Sequence, residues 1–449
     1  MKNEIKPLIK LSIPLILAGL IEAASPFFAT IFIADLGPAD LAAGALVRGL
    51  FFTLMVVMWG ALTAISVLVS QKHGENDTRG VSQILRDGSI LALILTPPAF
   101  IILWFIAPVF SFLGQNQAVI MLAQSYLHAL AWGIYPDFMA LVIMQFLIGL
   151  GHTRTNIIFT LFWMPVAILS NYALIYGAWG LPKLGLAGIG WGLTFSYWST
   201  TILFAAYLFL SKVYRPYFIM ALSPSNKRYL KELLQIGLPL GTMYAFEIGF
   251  FFILTVLMGL IGIVQLAATQ IVMQFLNIFV TVVFSTAQAV TIRMGHKMGE
   301  GNFTAANDTN KAGMFLCVSF MTLVSIIYLL FPNLLIGIDL NLADPKNAEI
   351  IHYTKQFLAI CALFQLFEAA RIALLGSLRA LKDTRYTLLS SLIGFWLVPF
   401  PLGYSLAKLG LGGAGLWWGM AIGAACNAWL LYRRYLVKIK HQVKMTKVV

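Results

Sequence analysis

Four carboxylates stand inside long apolar runs: Glu22, Asp137, Glu247 and Glu368. The rest of the 17 Asp and Glu mostly fall in polar stretches or at the ends of apolar ones. A charge at the centre of a bilayer costs at least about 2.5–3.5 kcal/mol, so each of the four needs a chemical reason. Desolvation favours the protonated carboxyl, so such a group can take up and release a proton. When ionised it can hold Na⁺ or an organic cation. Two cations share these runs. Arg371 follows Glu368 by three residues, on the same helical face, and Arg48 is a candidate partner for Glu22 or Asp137. Pro26 cannot bond back to the carbonyl of Glu22, and Pro136 leaves that of Trp132, near Asp137, without its donor. Both prolines are read as helix-bending, with the freed carbonyls as candidate cation ligands or as ordinary membrane-helix kinks. Asn171 and Gln270 are polar in otherwise apolar runs, suited to contact a substrate, a cation or a neighbouring helix.

The elements that must position these groups follow from composition. The 449-residue chain is 60% hydrophobic and 10% charged, against about 25% charged in soluble domains. That excludes a soluble enzyme, a nucleic-acid binder and a disordered chain, and it names lipid as the main solvent. Cys317, Cys361 and Cys426 lie in apolar runs without disulfide or metal spacing. Runs of about 20 apolar residues cross a bilayer. Twelve are read, at roughly 8–35, 44–71, 84–112, 119–149, 155–178, 186–211, 233–259, 264–292, 311–336, 351–378, 386–406 and 410–436. The first resembles a secretory signal, but its apolar run continues to Ala34, so it is read as an uncleaved span. With the N-terminus inside, 24 of the 30 Lys and Arg fall in inside segments and 4 in outside loops. That asymmetry puts both termini in the cytoplasm and accounts for the net charge of +13 without nucleic acid.

The chain also repeats itself. An offset of 225 pairs Ile13-Pro14-Leu15 with Leu238-Pro239-Leu240, Gly74-Glu75 with Gly299-Glu300, and Lys183-Leu184-Gly185-Leu186 with Lys408-Leu409-Gly410-Leu411. A drifted offset of 231 pairs Thr153-Arg154 with Thr384-Arg385. The expected organisation is an N-lobe at 1–211 holding helices 1–6, a basic cytoplasmic linker at 212–232, and a C-lobe at 233–449 holding helices 7–12 and a basic tail. Six spans per half make the repeat parallel, with a pseudo-two-fold axis along the membrane normal. The offsets superpose Glu22 on Glu247 and Asp137 on Glu368, so the four deep acids form two symmetry-related pairs.

On these residues the chain resembles the multidrug and toxic compound extrusion (MATE) family, in its bacterial NorM-like branch. The stretches that carry the resemblance are Arg293 to Glu300, Gly376-Ser377-Leu378-Arg379 with Lys382-Asp383-Thr384, and Phe246-Glu247. Leu266-Ala267-Ala268 with Gln270 and Asn171-Tyr172 with Tyr176-Gly177 add to them. The resemblance implies an all-α polytopic membrane protein whose twelve transmembrane helices form two pseudo-symmetric six-helix bundles about a V-shaped cavity. It implies a cation site at Glu247 and Glu368, with Na⁺ as a candidate metal there. This chain departs from the family at three positions. Glu368 stands for an aspartate, Phe364 for a tyrosine one turn earlier, and Ala29 for a span-1 aspartate. Glu22 lies two turns before Ala29 on the same face.

The expected function is secondary active export of cationic amphipathic compounds in antiport with H⁺ or Na⁺, by alternating access. Glu247→Gln is expected to abolish drug resistance without loss of expression. No cofactor other than the coupling ion is implied. The expected setting is the bacterial inner membrane, as a monomer. A lipid-linked precursor flippase and an intramembrane enzyme are the alternatives. The chain has no Walker A motif for ATP, no His-Glu-x-x-His, and no Gly-x-Gly-Asp companion for Tyr135-Pro136-Asp137.

Overall fold

The computed structural model describes residues 1–112, 114–221 and 229–446, without the side chains of Pro26 and 444–446. Among the described residues the chain is helical throughout. We number its membrane-length helices α1 (Lys2–Ala34), α2 (Pro38–Gly74), α3 (Thr78–Phe105), α4a (Gln117–Ala131), α4b (Ile134–Gly149), α5 (Thr153–Tyr176), α6 (Ala187–Leu210), α7 (Leu230–Ile261), α8 (Ile263–Gly299), α9 (Phe303–Leu330) and α10 (Ala348–Ala380). α11 joins Thr384–Ser391 to Pro399–Leu406 through a π-helical Leu392–Leu397, and α12 is Gly412–Thr446.

By length and composition ten helices can cross a membrane, and α4a with α4b, bent by 48°, makes an eleventh. The last of the ten, Thr384–Val443, has 60 residues. It would reach about 90 Å at 1.5 Å per residue, three times a bilayer core. Instead it folds back where Gly410 (φ 99°) and Gly412 (φ 52°) adopt left-handed backbone, and α11 then packs on α12. Twelve crossings result among the described residues, within several residues of the sequence reading. Large apolar side chains such as Phe105, Phe252 and Leu260 are exposed, as a lipid-facing surface requires.

The repeat is visible in the turns. After α2, Asn76 adopts φ 57° and the Asp77 side chain accepts from Gly80 N–H; after α8, Gly301 adopts φ 74° and Asn302 accepts from Ala305 N–H. Each site is 225 residues from its partner. Lys72 pairs with Glu75, and Lys297 with Glu300 at 2.6 Å.

The contacts divide the chain into a C-unit of Met1–Ile16 with Thr242–Val449, and an N-unit of Leu17–Gly241. The sequence boundary at 212–232 is therefore not the packing boundary, and residues 222–228 of that linker lie outside the described residues. The packing breaks follow Ile16 and Gly241, again 225 apart. The start of α1 belongs to the C-unit because Arg293 holds Glu4 at 2.7 Å and Ser285 Oγ donates to the Leu15 carbonyl at 3.3 Å. The start of α7 belongs to the N-unit. Asp87 accepts from Tyr229 N–H at 2.9 Å, and Gly60 and Gly241 meet so closely that a Cβ on Gly60 would lie 2.3 Å from the Gly241 Cα. Only residues without side chains allow two helices that approach.

Candidate functional site

Within the C-unit, Glu247 of α7 and Glu368 of α10 are brought together by Arg371. Arg371 Nε donates to Glu368 Oε2 at 2.8 Å and Nη2 to Glu368 Oε1, a bidentate fork. Nη1 donates to Glu247 Oε1 at 2.8 Å. The i, i+3 spacing on α10 sets the first contact, and tertiary packing supplies the second. Arg371 is 1% exposed, and its guanidinium lies 4.8 Å from the Phe395 ring centroid. Phe395 comes from the π-helical turn of α11. The three side chains form one buried triad, in which the guanidinium donates to three of the four carboxylate oxygens.

Within the N-unit, the equivalent acids meet no cation. Glu22 Oε1 accepts from Thr160 Oγ1 at 3.1 Å, and Asp137 Oδ2 accepts from Trp59 Nε1 at 2.8 Å. Among the described residues neither has an ion-pair partner. Both line one cavity of about 440 Å³. Asp137, Ala140, Leu141 and Met144 form its α4b wall, the i, i+3, i+4, i+7 face of a helix. Trp59, Phe159, Trp163 and Tyr197 supply aromatic surface. Two polar atoms on this wall, Trp163 Nε1 and Thr200 Oγ1, are buried without a hydrogen bond. The volume is within the usual range of small-molecule sites, about 300–1,000 Å³. The residue 231 positions before Arg371 is Ala140, so a methyl group and open space stand where the C-unit places its guanidinium.

The bend in α4 explains how Asp137 is held. It sits in the first turn of α4b, where the helix dipole favours a carboxylate. The break leaves carbonyls short of donors, and α6 supplies them: Thr194 donates to Ala129, Trp198 Nε1 to Trp132 and Thr201 to Pro136, at 2.8, 3.2 and 2.6 Å. The Trp132 carbonyl that Pro136 leaves without its helical donor accepts instead from the Trp198 indole. Pro26 stands in a helix continuous from Lys2 to Ala34, and its side chain lies outside the described residues.

Four other sequence candidates fall elsewhere. Arg48 Nη1 donates to Thr30 Oγ1 at 2.8 Å and pairs with neither Glu22 nor Asp137; Thr30 is eight residues beyond Glu22, about 12 Å along the helix. Asn171 is buried in the α5–α6 contact against Gly192, away from the cavity lining. Phe364 is 1% exposed in the C-unit core. Gln270 is exposed on α8. Sequence reasoning missed Trp59, Thr160, Trp163, Tyr197 and Thr200. One signal was present for Thr160, since the 231 offset pairs it with another hydroxyl, Ser391.

Known proteins agree with this architecture. The MatE family model matches residues 14–173 and 239–405. A probable multidrug resistance protein NorM from Brucella suis is 32% identical over 448 residues, covering 97% of this chain and 94% of the relative. One from Pseudomonas putida is 33% identical over 430 residues, covering 95% and 93%. Among solved structures, a MATE in the bent conformation superposes with a TM-score of 0.87 at 20% identity, covering 98% of this chain and 97% of the other. The eukaryotic MATE transporter AtDTX14 superposes at 0.82 with 18% identity, covering 99% of each. A family model spanning most of the chain and full-length relatives above 30% identity leave one assignment: the chain belongs to the MatE (MATE) family, as a multi-pass membrane transporter and not an enzyme.

Proposed function

We propose that this protein is a secondary active exporter of cationic amphipathic compounds, driven by exchange for H⁺ or Na⁺ through alternating access. The observation that carries the reading is the N-unit cavity, where Glu22 and Asp137 face open space without an ion pair among the described residues. Two uncompensated carboxylates attract a cation, and the surrounding rings add cation–π attraction for a flat or lipophilic one. Uptake of the coupling ion on the deep carboxylates lowers substrate affinity, and that difference in affinity couples the two fluxes. The names of the relatives, multidrug resistance proteins, support the substrate class. A carrier of lipid pyrophosphate would need cations where this cavity presents acids. The setting we propose is the bacterial inner membrane, with both termini cytoplasmic and a monomer as the working unit.

The test is efflux of ethidium and tetraphenylphosphonium from cells carrying the wild-type protein or Glu22→Gln/Asp137→Asn, at matched membrane expression. The double variant is expected to lose efflux. Efflux at the wild-type rate in that variant would refute the reading.

A further inference from the structure

The C-unit acid pair is already occupied by a cation that belongs to the chain. We infer that Arg371 bars Na⁺ from Glu247 and Glu368 and leaves them room for a proton alone, so that H⁺ is the coupling ion. This rests on the exchange proposed above and names its ion. Three of the four carboxylate oxygens accept from Arg371. Of these four oxygens, Glu247 Oε2 alone has no hydrogen bond to any described residue. A guanidinium stays protonated and offers no acceptor. Hard cations require several oxygen ligands, and one free carboxylate oxygen beside a fixed positive charge does not supply them. Among the described residues no cluster of three or more His, Cys, Asp or Glu is placed to hold a metal.

The charge arithmetic leads to the same ion. Two carboxylates and one guanidinium leave one negative charge on the triad itself. One proton on Glu247 Oε2 neutralises it, and no other bond changes. Release of that proton restores the charge. Among the described residues the further charged or titratable groups near Glu247 are Arg379, whose field reaches it, and Tyr244, one turn earlier on α7, whose hydroxyl accepts from Arg379. In the N-unit too, the donors are hydrogens: the Trp59 indole N–H and the Thr160 hydroxyl. Arg371 is thus a specificity residue, and it acts by occupying the place of a transported metal ion.

The experiment uses purified full-length protein. Tetraphenylphosphonium transport in liposomes is measured under a pH gradient or a Na⁺ gradient, and thermal unfolding in detergent is followed with and without Na⁺. The wild type should transport under the pH gradient, ignore the Na⁺ gradient and unfold at a Na⁺-independent temperature. Arg371→Met should acquire a Na⁺-dependent rise in unfolding temperature. Its transport should gain about tenfold from Na⁺, the factor that corresponds to about 1.4 kcal/mol. Arg371→Lys, which keeps a cation, should remain indifferent to Na⁺. Na⁺-driven transport by the wild type, or a folded Arg371→Met that stays indifferent to Na⁺, would overturn the proposal. If Arg371→Met does not fold, the wild type's own response to Na⁺ decides. If tetraphenylphosphonium moves under neither gradient, the export reading fails while Na⁺-dependent unfolding still decides the role of Arg371.

Discussion

The two halves of this transporter place a pair of acids at the same positions and stabilise them in different ways. In the C-unit, α10 runs unbroken from Ala348 to Ala380, and Arg371 pairs with Glu368 and Glu247 at once. In the N-unit, the helix breaks before the acid, Asp137 gains a helix N-terminus and an indole N–H, and the place of the arginine is left to Ala140 and open space. A guanidinium cancels charge and fills volume. A helix terminus and single donors hold a carboxylate in place without cancelling its charge. The first arrangement gives a closed triad and the second gives a pocket. A repeated chain can therefore keep a charge pattern while its two halves stabilise it by different means.

Several substitutions would break or sharpen that contrast. The largest effect is expected from Ala140→Arg, which grafts the C-unit plug into the N-unit. It should abolish export of cationic compounds, measured as ethidium retention, while leaving the fold intact by circular dichroism. Glu22→Gln with Asp137→Asn should weaken binding of a lipophilic cation by at least about 30-fold, since loss of a desolvated charge partner costs about 2–5 kcal/mol. Arg371→Ala leaves two buried carboxylates facing one another. It should destabilise the protein by about 3–5 kcal/mol, read as a lower unfolding midpoint, and Ala140→Leu at the matched site should not. Trp59→Phe keeps the ring and removes the indole donor to Asp137. It should cost about 1.5–3 kcal/mol of a hydrogen bond to a charged group, read as altered pH dependence of transport at nearly unchanged expression. Trp198→Phe removes one donor from the α4 bend. Its expected cost is smallest, about 0.5–1.5 kcal/mol, seen as a modest fall in thermal stability.

Much of this was legible before any coordinates. Apolar runs located the spans, with ends off by up to ten residues, because the bilayer sets their length. The four deep acids stood out because charge is scarce in such runs, and the offsets paired them. The Glu368–Arg371 contact follows from helical spacing alone. The third member of that triad did not, since Glu247 meets Arg371 across 124 residues of sequence. The same limit hid Trp59 and Thr160: aromatic and hydroxyl residues are common in these helices, and nothing local marks the ones that face an acid. The donor to the Trp132 carbonyl was hidden for a related reason. Pro136 does free it, but the donor that recaptures it, Trp198, comes from another helix. The packing boundaries at Ile16 and Gly241 were also hidden, because a repeat defines equivalence between segments and not which helix each one packs against.

The central claim is that the N-unit pair receives the substrate while the C-unit pair, filled by Arg371, does not. Equilibrium dialysis of tetraphenylphosphonium against purified protein tests it most directly, with wild type, Glu22→Gln/Asp137→Asn and Glu247→Gln compared at one pH. The account predicts that the N-unit double variant loses binding while Glu247→Gln keeps wild-type affinity and fails only in proton-driven transport. Binding retained in the double variant and lost in Glu247→Gln would contradict it.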